Sequence, residues 1–71
     1  MPNVSEQISL KAARVNAGYT QKTMARLLKV NPSTYNGWER GKRTMPADKF
    51  VSFGLIVGLD LKSIYLPTTS L

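Results

Sequence analysis

The side chains able to do chemistry in this chain are hydrogen-bonding and cationic, and most of them fall within residues 21–44. Asn36 can donate and accept at once, which is what the major-groove edge of adenine requires. Ser33 and Thr34 can bond several base edges or touch a thymine methyl. Asn31 and Lys42 stand at the two ends of this short segment, where the phosphates flanking a groove lie. Gln21 and Lys22 open the segment before it, and the free amides of a helix start beside them can hold a phosphate and fix register. Arg40, Lys42, Arg43 and Thr44 follow as a basic loop suited to the sugar–phosphate backbone, and Arg43 can alternatively enter a narrow minor groove. Each position also has a plainer use: ordinary helix solvation for Ser33, Thr34 and Asn36, a polar first turn for Gln21, a solvated surface for the loop.

Other chemistries are poorly served. The sequence has no His and no Cys, so a histidine base, a thiol nucleophile, a disulfide and a Cys/His zinc site are all excluded. Glu6, Glu39, Asp48 and Asp60 are scattered, no two make an acid–base couple, and there is no glycine-rich phosphate loop. Catalysis is rejected, and no cofactor or metal is expected. Ten Lys/Arg against four Asp/Glu give a formal charge of +6, which attracts polyanions. The start, Met1-Pro2-Asn3, lacks the basic-then-apolar run of a secretory signal. The longest apolar stretch, residues 50–61, is interrupted by Ser52, Gly54, Gly58 and Asp60 and is too short to span a bilayer. A cytoplasmic location is expected, with no membrane partner.

The elements that must position these groups read as five helices in one all-α domain over residues 1–66, with residues 67–71 as a flexible tail. Asn3 or Ser5 caps a first helix over residues 5–17, with Glu6 near its positive end and Leu10, Ala13, Arg14 and Ala17 on one face. Thr20 caps a second helix from Gln21 to about Leu28. Asn31 caps a third, with Pro32 at its first position and Gly41 just past its end. Met24, Ala25, Leu28, Val30, Tyr35 and Trp38 let the second and third helices cross around one core, leaving the outer face of the third free. A fourth helix follows Met45-Pro46-Ala47-Asp48 and carries Phe50, Phe53, Gly54 and Val57 inward before Gly58. Asp60 caps a short fifth, with Ile64 on its buried side. Leu55, Ile56, Leu61, Tyr65 and Leu66 are more apolar side chains than one small core buries, which marks a partner surface, although some of them can wrap the domain itself.

The run Gly18-Tyr19-Thr20-Gln21, Met24-Ala25, Leu28, Val30, Ser33-Thr34-Tyr35 and Trp38-Glu39-Arg40-Gly41 resembles the Cro/C1-type helix-turn-helix family, which includes the lambda-type phage repressors and xenobiotic-response-element-like regulators. The resemblance covers roughly residues 10–64. It implies a compact five-helix, lambda-repressor-like domain that binds a near-palindromic double-stranded DNA operator as a homodimer, with the dimer contact in the C-terminal region. Gln21 matches the family glutamine that holds a phosphate and buttresses a side chain of the recognition helix. Arg14 and Glu39 match a family ion pair. Burying either charge alone is costly, and pairing them pins the first helix against the end of the third.

Two positions depart from the family pattern. Gly37 stands where many relatives carry a long polar or basic side chain, which suggests either close backbone approach to DNA or, more simply, a lost contact. No long cation sits on the groove-facing part of the third helix, so shape readout gains weight. Lys29 replaces a frequent turn glycine and accepts modest strain there, its ammonium either solvated or near a phosphate. Lys11, Lys49 and Lys62 read as generic surface lysines. The reading is a transcriptional regulator, a repressor by default, controlled by its own concentration with no small-molecule ligand. The alternative is a protein-binding module of the antitoxin or antirepressor kind that uses the fold as scaffold.

Overall fold

Helices α1 (Leu10–Asn16), α2 (Gln21–Leu27) and α3 (Pro32–Glu39) each begin on a side chain that caps the first turn. Ser9 accepts from the Ala12 amide at 3.0 Å, Thr20 from Thr23 at 3.1 Å and Asn31 from Thr34 at 3.4 Å. They also end alike. Gly18, Lys29 and Gly41 take left-handed φ values of 87°, 61° and 74°. The next amide then reaches back to a helix carbonyl: Tyr19 to Arg14 at 3.1 Å, Val30 to Ala25 at 3.0 Å and Lys42 to Gly37 at 2.9 Å. This closure satisfies carbonyls that the helix leaves open and turns the chain sharply. These facts come from a computed structural model that describes residues 7–67.

Helix α4 (Ala47–Val57) starts at Pro46 without a side-chain cap, carries Asp48 in its first turn, and stops at Gly58 with φ 74°. Leu10, Ala13, Met24, Ala25, Leu28, Tyr35, Trp38, Met45, Phe53 and Ile64 form one buried core drawn from every helix. Tyr35 is its centre, edge-on to Trp38 (ring centroids 6.1 Å apart) and stacked on Phe53 (6.5 Å), arrangements that favour aromatic pairs beyond simple burial.

Two expectations about the ends of the domain are corrected. The first helix does not run from residue 5: Gln7 is outside it, and Ile8–Ser9 form a short strand, β1. The proposed caps Asn3 and Ser5, and Glu6, lie outside the described residues. The short fifth helix is a single 3-10 turn, Leu61–Ser63, in which Asp60 makes no side-chain cap. The chain then extends into β2 (Ile64–Tyr65), which pairs in parallel with β1 through Ile8↔Ile64 and Ser9↔Tyr65. Gln7 Nε2 adds a bond to the Lys62 carbonyl at 3.0 Å. The physical reason is that Ile64 is buried by this pairing, not by a helical turn. Among the described residues the helical character therefore rests on four α-helices and is sealed by a two-residue ladder. Of the expected tail, Pro67 is half-buried and lies beside Gly41, and residues 68–71 lie outside the described residues. Among the described residues no helix is long and apolar enough to cross a membrane.

Candidate nucleic-acid interface

Burial of Tyr35 and Trp38 fixes which way α3 faces. With those rings in the core, Ser33, Asn36 and Arg40 fall on the opposite side by helical periodicity, and Ser33 and Arg40 are exposed. Helix α2 packs against the inner side of α3, so the pair forms two crossed rods with one clear flank.

A continuous polar chain runs from the core to that flank. Arg14 Nε donates to Glu39 Oε2 at 2.7 Å, and Arg14 Nη2 reaches Oε1 at 3.4 Å, while Arg14 Nη1 donates to the Tyr19 carbonyl at 2.8 Å. The two side chains retain 9% and 3% of their exposure. Gln21 Nε2 donates to Glu39 Oε1 at 2.9 Å, and Asn36 Nδ2 donates to Gln21 Oε1 at 3.3 Å. Burial alone pushes the Glu39 carboxyl up. Hydrogen bonds, led by that from Arg14, together with the Arg14 charge outweigh it and hold the group below its ordinary value. Arg14 moves up, chiefly through its bond to Glu39. The Tyr35 hydroxyl meets no partner in hydrogen-bond geometry among the described residues, although it contributes to the electrostatics of this ion pair. Burial pushes that phenol far up, so it stays neutral.

Gln21 thus faces inward with both ends of its amide engaged. Its second N–H remains available for a phosphate, and its carbonyl orients Asn36. Asn36 keeps one N–H and its carbonyl, the two groups that a bidentate contact with adenine uses. The family resemblance implied that Gln21 buttresses a side chain of the third helix, but its inward turn onto Glu39 depends on how α2 and α3 cross.

Ser33 and Thr34 are held more tightly than solvated hydroxyls. Both donate to Asn31 Oδ1, at 3.0 and 3.2 Å. With their protons committed, the oxygens are left as acceptors, which suits an amino group on adenine or cytosine. The Asn31 amide is not used by the cap.

Lys22, Arg40, Lys42, Arg43 and Thr44 are exposed along the flank and the loop that follows it. Gly37 is not. It is buried, and a Cβ placed on it meets Arg43 Cδ at 3.1 Å and Cγ at 3.3 Å. The open backbone that a glycine offers is already covered by this chain's own arginine, so Gly37 does not stand exposed beside Ser33 and Arg40.

The apolar residues expected at a partner surface divide. Leu55 and Tyr65 are 79% and 55% exposed. Ile56 and Leu66 pack against the core, and Leu61 lies over Gly54. Val51 and Leu59, which the sequence did not single out, join the exposed set. Val51 lies one turn before Leu55 on α4. Lys49 also has a role that its sequence context hid: Nζ donates to the Leu28 carbonyl at 2.8 Å and ties α4 to the end of α2.

The sequence model of the helix-turn-helix family matches residues 10–52, from the start of α1 into α4. No curated protein and no solved structure matches the chain. The matched span contains the crossed pair, the cap at Asn31 and the Arg14–Glu39–Gln21–Asn36 chain, so the chain belongs to the Cro/C1-type helix-turn-helix family of DNA-binding regulators.

Proposed function

We propose that this protein is a sequence-specific transcriptional regulator, a repressor of the Cro kind, that binds a near-palindromic operator as a homodimer. The observation that carries the reading is the outer flank of α3. Its inner side is locked by Tyr35, Trp38 and Glu39, and Asn36 is oriented from behind by Gln21. A fixed helix with hydrogen-bonding groups on its free side is what a major groove accepts. In this reading Asn36 reads adenine, and Ser33 and Thr34 accept from neighbouring base edges. Gln21, Lys22, Asn31, Arg40, Lys42 and Thr44 hold phosphates. The exposed side chains of Leu55 and Tyr65, with Val51 and Leu59, supply the dimer contact. Two copies of α3 then enter successive major grooves about one duplex turn apart. A dimer seated on a promoter represses by excluding polymerase.

Selection of bound sites from a random duplex pool tests this directly. The expected result is a palindromic site whose half-sites are spaced by about 10 base pairs. Affinity should fall about 10³- to 10⁵-fold between 50 and 200 mM salt if 6 to 10 phosphates are held. Binding that ignores salt and selects no duplex would overturn the reading and favour the protein-binding alternative.

A further inference from the structure

Gly37 and Arg43 act as one unit. The amides of Lys42 and Arg43 both donate to the Gly37 carbonyl, at 2.9 and 3.2 Å, so the chain leaving α3 folds back over its last turn. The Arg43 side chain then lies across Gly37. The three nearest atoms to a Cβ built there all belong to it: Cδ at 3.1 Å, Cγ at 3.3 Å and Nε at 3.6 Å. Gly37 sits one helical turn beyond Ser33 and three residues before Arg40, on the stripe of α3 that faces away from the core. Both of those neighbours are exposed while Gly37 is buried, and its cover is the arginine stem. Arg43 itself remains exposed, and among the described residues its guanidinium has no hydrogen-bond or ion-pair partner. The apolar stem is therefore spent on the helix, and the charged head is left over on the outer flank.

We propose that Arg43 is the guanine reader that α3 itself lacks. The slot left by Gly37 seats its stem, and the guanidinium is presented in the major groove, where it takes a guanine through O6 and N7. This inference rests on the DNA-binding reading and deepens it. It places Arg43 apart from Lys42 and Arg40, with which the sequence groups it on the sugar–phosphate backbone. A residue with a side chain at position 37 would fill the space that the stem occupies, so the glycine and the arginine are needed together. The two amide bonds to the Gly37 carbonyl fix the root of the side chain, which lowers the ordering cost of holding it on the helix. A planar fork of donors matches the two acceptors of guanine, whereas a lysine supplies charge without the fork.

The test uses the selected operator and its full set of single base-pair replacements, with wild type, Arg43→Lys, Arg43→Ala and Gly37→Leu. Wild type should lose about 5- to 150-fold on replacement of one G·C pair in each half-site, the range of a bidentate contact. Arg43→Lys should keep the salt slope yet flatten the preference at that pair alone. Gly37→Leu, which pushes the stem off the helix, should flatten the same pair. Its thermal midpoint, read alongside, reports whether the fold has survived. If Arg43→Lys retains every preference, or Arg43→Ala weakens all duplexes equally, Arg43 is a backbone contact and the inference is overturned while the regulator stands. A wild type that selects no sequence overturns both.

Discussion

The crossed pair of helices and the C-terminal turn of this small domain are held by different kinds of contact. Between Thr20 and Arg43 every helix boundary is set within a few residues: Thr20 and Asn31 cap, Lys29 and Gly41 reverse, and each closing bond spans five positions. The 3-10 turn at Leu61–Ser63 has no side-chain cap. Its place comes from Ile64 pairing with Ile8 and from Leu61 lying over Gly54. The first region is specified by local chemistry and then locked by one long-range ion pair. The second is specified by long-range contact from the start. The candidate nucleic-acid interface accordingly lies in the locally specified region, whereas Leu55, Leu59 and Tyr65, all exposed, lie on α4 and the segment after it.

The largest test of that contrast is at the lock. Glu39→Ala leaves the Arg14 guanidinium buried without its counter-charge and frees Gln21, and the loss expected is about 3–5 kcal/mol in a denaturant titration. A loss below 1 kcal/mol would mean that local caps alone hold the crossed pair. Glu39→Gln separates charge from shape through pH. The folded carboxyl sits below its ordinary value, so its contribution is fully present above the unfolded value, about pH 4.3. It is lost as pH falls through the folded one. The stability gap between wild type and Glu39→Gln should be constant near neutrality and narrow below about pH 4. A gap that widens on acidification would mean that the folded carboxyl sits above its ordinary value instead of below it.

The same contrast explains what could be read from the chain alone. Thr20, Asn31-Pro32 and Gly41 act within their own neighbourhoods, and the helices they bound were legible. Tyr35 and Trp38, three apart, gave the buried side of α3 and hence its free flank. The strand pair was not legible, because two residues of β1 carry no alternation of their own and their partner lies 56 positions away. Asp60 looked like a cap, yet it makes no capping bond. At the site, the residue types announced hydrogen bonding with bases and phosphates. The resemblance implied that Gln21 buttresses the third helix; what escaped was its anchoring on Glu39, the hydroxyls of Ser33 and Thr34 engaged by Asn31, and Arg43 laid over Gly37. The placements of Gln21 and Arg43 depend on two segments meeting, whereas the Asn31 bonds are local and depend on the side-chain rotamers around the cap.

A smaller effect is expected where the second region docks. A Cβ at Gly54 collides with the Leu61 side chain and comes within 3.3 Å of the Leu59 carbonyl. Crowding of this sort costs about 1–3 kcal/mol, partly offset by the roughly 1 kcal/mol that alanine gains over glycine in a helix. Gly54→Ala should therefore lose about 1 kcal/mol in urea. Hydrogen exchange should rise at Ile64 and Tyr65 while the α3 amides keep their protection. Equal deprotection of both regions would show that they are not held independently.

The smallest effect is expected inside the crossed pair, at the one boundary where its local chemistry is imperfect. Lys29 occupies the reversing position between α2 and α3 with φ 61°, in the left-handed region where a Cβ is crowded by the backbone. Gly18 and Gly41 fill the equivalent positions after α1 and α3 without that penalty. Lys29→Gly should stabilise the protein by about 0.5–1 kcal/mol, the relief of strain being reduced by the greater freedom of glycine in the unfolded chain. The same variant separates the two uses of this lysine. If its ammonium only meets solvent, operator affinity and salt slope stay as they were. If it holds a phosphate, the slope of log K against log salt becomes shallower by about 0.9 per subunit. A variant that loses stability would instead show that the lysine stem packs on the turn and that the strain is compensated where it arises.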